Sequence, residues 1–134
     1  MDKRLAGLNK CILWIYVLLT LAHTTFMRST SFAKPYELIP FWNYQDIQDH
    51  PRVLLEICMN IIMFVPIGVL IPLLYSHIKW YQLLLSSCLF SVLIELLQLV
   101  FERGLCETDD VIHNTLGAMI GYSLYRFYVK KKNN

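Results

Sequence analysis

A chain of 134 residues is long enough for one compact unit and leaves no room for a second soluble domain. Its residues are 56% hydrophobic and 16% charged, with a mean hydropathy of +0.45, which excludes an ordinary water-soluble domain and points to an integral membrane protein. The formal net charge is only +2, and the basic residues cluster in the tails rather than along a stripe, which excludes a nucleic-acid-binding surface.

Lys3, Arg4 and Lys10 lead into an apolar run from Cys11 to Met27, the first predicted span. Basic residues, an apolar stretch and the triplet Ser31-Phe32-Ala33 also have the outline of a secretory signal with a small-x-small cleavage site. The run exceeds the roughly 7–15 residues of a signal core, so an uncleaved anchor is expected. The loop Arg28–Arg52 carries Pro35, Leu38, Ile39, Pro40, Phe41, Trp42 and Tyr44. It is too apolar for a solvated linker. A segment lying in the outer membrane interface or folded over the bundle fits, and so does a plain ordered loop packed on its neighbours.

Val53–Tyr75 and Trp80–Phe101 are the second and third predicted spans. The short turn Ser76–Lys79 makes them antiparallel neighbours. Pro66 and Pro72 are expected to bend the second without ending it. Val111–Val129 is the fourth. Each run is near the ~20 residues that cross a hydrocarbon core ~30 Å thick. The fold class read from the sequence is therefore all-α, a polytopic bundle of four transmembrane helices with an outer interfacial loop.

With the N-terminus inside, the cytoplasm receives Lys3, Arg4, Lys10, Lys79, Arg126, Lys130, Lys131 and Lys132, and the outside receives Arg28, Lys34, Arg52 and Arg103. Eight against four predicts a multi-pass protein with both termini cytoplasmic. Tyr75, Trp80, Tyr81, Tyr125 and Tyr128 would form an aromatic belt at that face.

An ionisable side chain at the centre of a membrane helix costs about 2.5–3.5 kcal/mol on insertion scales, so it is retained for a reason. Glu95 and Gln98 share a face of the third span, and Asp109, Asp110 and Asn114 open the fourth. By helical rise, Asn60, Glu95 and Asn114 reach roughly 7–11 Å below the outer boundary. An outward-facing polar pocket of Asn60, Glu95, Gln98, Asp109, Asp110 and Asn114 is expected, with Arg103 as counter-charge and Glu102 and Glu107 above it. The alternative is interhelical hydrogen-bond glue, which suits Asn60 or Gln98 taken singly. His113 reads as an interfacial residue. Gly117 and Gly121 form a GxxxG, and Pro66 with Gly68 a bend that admits a neighbour; both signify helix packing. Cys11, Cys58, Cys88 and Cys106 form no CxxC pair and read as small buried hydrophobes, with a Cys58–Cys106 disulfide left open. The histidines have no metal-ligand spacing. No metal and no cofactor is expected.

Four blocks in order carry a family resemblance: Leu38-Ile39-Pro40-Phe41, Asn60 to Gly68, Ser91 to Gln98, and Asp109 to Gly117. Together they resemble the VanZ-like membrane protein family over roughly residues 36–122, within a single domain of 1–134. The resemblance places the family's polar motif residues on Asn60, Glu95, Gln98, Arg103, Asp110, Asn114 and Gly117. The chain departs from the family at Glu107, commonly an Asp, and at Cys106, commonly an aromatic.

The family is named for a protein associated with teicoplanin resistance, and its members are small bacterial multi-helix membrane proteins. The resemblance thus implies a non-enzymatic protein of the bacterial cell membrane. It would lower susceptibility to teicoplanin-type glycopeptides through a polar cluster at the cell surface. Its implied partners are the lipid bilayer and either the antibiotic or a cell-wall lipid precursor. One alternative is a membrane enzyme acting on an isoprenoid- or lipid-linked phosphate, with Asp109, Asp110 and Glu107 holding a divalent cation and Arg103 clamping phosphate. A purely structural or transport accessory is the third.

Overall fold

The computed structural model describes residues 3–26, 36–47 and 50–133. The elements in chain order are α1 (Lys3–Phe26), β1 (Tyr36–Glu37), α2 (Asn43–Asp46), α3 (Arg52–Leu74), α4 (Trp80–Val100), β2 (Cys106–Glu107) and α5 (Thr108–Asn133). The four long helices fall on the four apolar runs. Helix α1 starts at Lys3 rather than Cys11, because nothing in Lys3–Lys10 breaks a helix once the apolar run propagates it. Helix α3 passes unbroken through Pro66 and Pro72. The triplet Ser31-Phe32-Ala33, with Met27, Arg28, Lys34 and Pro35, lies outside the described residues.

Among the described residues three segments are long and apolar enough to cross a membrane: Gly7–Thr25, Arg52–Leu74 and Trp80–Val100. Helix α5, the fourth of the four transmembrane helices expected from the sequence, is not one of them. Asp109 and Asp110 occupy its first turn and Lys130, Lys131 and Lys132 its last. Its buried stripe is also polar at the start, running Asp110, His113, Asn114, Gly117, Ala118, Gly121 at helical spacing. That stripe meets protein rather than lipid, so hydropathy was never required of it.

The stripe packs mainly on α3, with α4 as the second neighbour. A Cβ placed on Gly117 would collide with the Ile61 carbonyl, one on Gly121 with the Val65 carbonyl, and one on Gly68 with the Ala118 carbonyl. The two backbones touch, which only glycine permits. Pairing of 61 with 117 and 65 with 121 makes α3 and α5 parallel. Phe64, Ile67, Ile94 and Ala118 form the apolar core, and Phe90 tilts against Phe64 at 5.8 Å between ring centroids.

The C-terminal ends of α1 and α4 and the N-terminal ends of α3 and α5 gather at one end. Gln98 donates to the Thr24 carbonyl (3.1 Å), and Asn60 donates to Asp110 (2.6 Å). At that end β1 and β2 pair in parallel, Tyr36 with Cys106 and Glu37 with Glu107. This pairing holds the described part of the loop against that end of the bundle. All four cysteines are free thiols, so no disulfide joins Cys58 to Cys106.

Candidate functional site

The first turn of α5 sits under the outer loop, and its consecutive carboxylates diverge because neighbours on a helix project about 100° apart. Asp110 faces α3 and accepts from the Asn60 amide. Asp109 faces the loop and accepts from the Phe41 backbone N–H at 2.5 Å. On α4, Glu95 accepts from the Glu107 backbone N–H at 2.9 Å, fixing β2 to the helix. The N-terminal end of α5 carries a partial positive charge, which favours carboxylates there. Hydrogen bonds to ionised acceptors are about twice as strong as neutral ones. Asn60, Glu95, Gln98, Asp109, Asp110 and Asn114 are all buried, each 6% exposed or less.

The sequence places Asn60, Glu95 and Asn114 in one layer; the structure divides them between two. Asn60 and Glu95 meet groups at 110 and 107, whereas Asn114 donates to Ser91 Oγ at 2.8 Å, one helical turn deeper. The four residues from 110 to 114 are about 6 Å of rise. The depth estimate assumed straight, level helices, and close packing of α3 on α5 sets a different register. Gln98 turns toward α1. Arg103 is half-buried and its backbone N–H donates to the Gln98 carbonyl (2.9 Å). Glu102 and Gly104 both take positive φ (54° and 85°), a tight reversal on either side of Arg103. Pro66, Gly68, Gly117 and Gly121 lie on the α3 and α5 helices, the glycines at their contact.

Four contributors escaped the sequence reading. His113 is not interfacial: it is 1% exposed and its Nε2 lies 2.9 Å from the Tyr44 hydroxyl. Its spacing from Asp110 was the available signal. Ser91 lies one turn from Glu95 on the same helix face and was legible by that spacing. Tyr44 and the buried Glu37 come from the loop, where no periodicity points to a partner. Phe41 holds φ at 64°, a left-handed conformation that costs a non-glycine residue on the order of 1–3 kcal/mol.

Among the described residues no group of three or more His, Cys, Asp or Glu could hold a metal ion. Of the acids proposed for a cation, Asp109 accepts from the loop backbone and Asp110 from Asn60 on α3. Three polar atoms, His113 Nδ1, Asn114 Oδ1 and Thr115 Oγ1, are buried and lack a hydrogen-bond partner among the described residues. Such atoms call for water or a ligand. Cys106, at the edge of the layer, has its thiol pKa raised by burial and then by Glu95, Asp110 and Glu107.

A helical bundle with three membrane-length apolar helices and a polar layer under an outer loop defines a small membrane protein. The VanZ/LLP1 family model matches residues 10–129, and the chain belongs to that family. It is also similar to Protein VanZ of Enterococcus faecium, 31% identical over 78 residues, which covers 58% of this chain. The alignment takes in 48% of that relative, so the chain matches about half its length. No solved structure matches the chain.

Proposed function

We propose that this protein crosses the bacterial cell membrane four times with both termini in the cytoplasm, and acts without catalysis at the cell surface to lower susceptibility to teicoplanin-type glycopeptides. The fourth crossing follows from packing: α5 has 26 residues and runs parallel to the 23-residue α3 from the same end. If α3 crosses the bilayer, α5 traverses the same slab, with its polar first turns packed against α3 and α4. The observation that carries the surface role is the burial of Glu95, Asp109 and Asp110 directly beneath the outer loop, with unbonded acceptor and donor atoms at His113 and Asn114 one turn below. Such a layer has the polar groups to engage an antibiotic or a cell-wall lipid precursor at the outer face.

The test is deletion of the gene followed by complementation with wild type and with Glu95→Gln, scored as teicoplanin susceptibility at matched membrane abundance. Gln retains an oxygen for the Glu107 N–H and removes the charge. Loss of protection with Glu95→Gln is expected. Full protection by that variant would leave Glu95 as glue and overturn the surface role.

A further inference from the structure

Positive charge gathers at the end of the bundle opposite the loop. Residues 57–94 and 111–134 contain no Asp or Glu, yet they hold Lys79, Arg126, Lys130, Lys131 and Lys132. The dipole of α5 welcomes cations in its last turn, which accounts for the three lysines. It does not account for Arg126, a full turn earlier. Arg126 and Lys130 are four apart on one face of the helix and both are exposed. Like charges at that spacing destabilise a helix, and an anion lying between them relieves the repulsion.

A hollow of about 420 Å³ lies against this face, lined by Arg126, Lys130, Phe127 and Val129. Its lining is mixed. Arg126 offers a planar fork that matches two phosphate oxygens, and Lys130 a mobile point charge beside it. Phe127, 70% exposed, and the half-buried Val129 give it an apolar wall. A free phosphate uses the cations alone, whereas a phosphate joined to acyl chains uses both parts. The level fits as well. Tyr75, Trp80 and Tyr128 are exposed at this end, where α3 stops and α4 starts, and exposed Trp and Tyr mark the headgroup layer of a bilayer.

We propose that Arg126 and Lys130 clamp the phosphate of an anionic phospholipid, with Phe127 and Val129 against its glycerol and acyl portion. The site stands apart from the surface role at the loop end, and depends only on this end of the bundle lying at a bilayer surface.

The test uses the full chain purified in dodecyl maltoside and mixed with equal amounts of phosphatidylglycerol and phosphatidylcholine of the same acyl chains. Native mass spectrometry reads which lipid stays bound. Phosphatidylcholine carries the same phosphate with an ammonium that the two cations repel, so preferential retention of phosphatidylglycerol is expected. Arg126→Gln and Lys130→Gln should each weaken that retention roughly fivefold. The double variant should hold the two lipids alike. Lys131→Gln combined with Lys132→Gln removes the same charge outside the hollow and should keep the preference. All four side chains are exposed, and helicity by circular dichroism equal to wild type verifies that each variant is folded. A loss as large in the Lys131 and Lys132 variant would mean diffuse surface charge and would overturn the clamp. Equal retention of both lipids by the wild-type protein would overturn it outright. Inorganic phosphate at the lipid concentration should leave retention unchanged; displacement of lipid by it would make the hollow a plain anion site and overturn the lipid assignment.

Discussion

Asp109 and Asp110 are adjacent in sequence and serve different partners, one the loop backbone and the other an asparagine on α3. Identical chemistry is thus separated by a helical rotation alone. Cys106 reports on the charge around them. Burial and the carboxylates of Glu95, Asp110 and Glu107 all disfavour its thiolate, the reactive form. In a chain with Cys106 as the single cysteine, alkylation by a membrane-impermeant maleimide should be slower at neutral pH than for a free thiol. It should accelerate only as pH rises above the ordinary thiol range. Glu95→Gln removes one charge that raises the pKa, so it should speed the reaction at fixed pH, though only in part because burial is the larger cause. A rate at neutral pH equal to that of a free thiol would contradict this placement of Cys106.

Among the elements, the contact between α3 and α5 carries the fold. Gly121 abuts the Val65 carbonyl, so even a methyl group needs the helices to part. Gly121→Leu should therefore lower stability in detergent by at least the roughly 1–3 kcal/mol typical of overpacking. Leu124 is 54% exposed on the same helix, and Leu124→Ala should leave stability nearly unchanged. Thermal denaturation of the two purified variants compares them directly; equal melting temperatures would mean this face does not bear the packing load. Two turns earlier on the same buried stripe, Asn114→Leu would strand Ser91 Oγ without its donor and place a larger apolar group in a buried position. It should destabilise by about 1–3 kcal/mol, the usual penalty for a buried polar group left unmatched.

For the molecule as a whole, the decisive measurement is topology. The ends of α1 and α4 and the starts of α3 and α5 share one side, and the basic residues favour the opposite side as cytoplasmic. A cytoplasmic reporter fused after Asn134 should be active, and a reporter inserted between Phe41 and Asp49 should read as external. An external C-terminus would mean that α5 does not cross, and the surface role would lose its geometry.

What the sequence determined by itself was the helical class and the placement of the apolar helices, because lipid solvation acts on every residue of a span and leaves a long, redundant signal. It also determined the family, through the motif blocks from Leu38 to Gly117, and it singled out polar residues that are buried toward one end of the bundle. It did not separate α5 from the more apolar helices, since the polar residues of its first turns are buried against α3 and α4. Only the tertiary structure decided which polar group meets which. Asn60 meets Asp110 because three glycine contacts set the register of α3 against α5, and Asn114 meets Ser91 because α4 packs beside α5; a register is a property of the pair. The loop was the least legible. Its strand has two residues, its turn depends on a left-handed Phe41, and its anchor, Asp109, lies 68 residues away; contacts between distant positions leave no periodicity in a single chain.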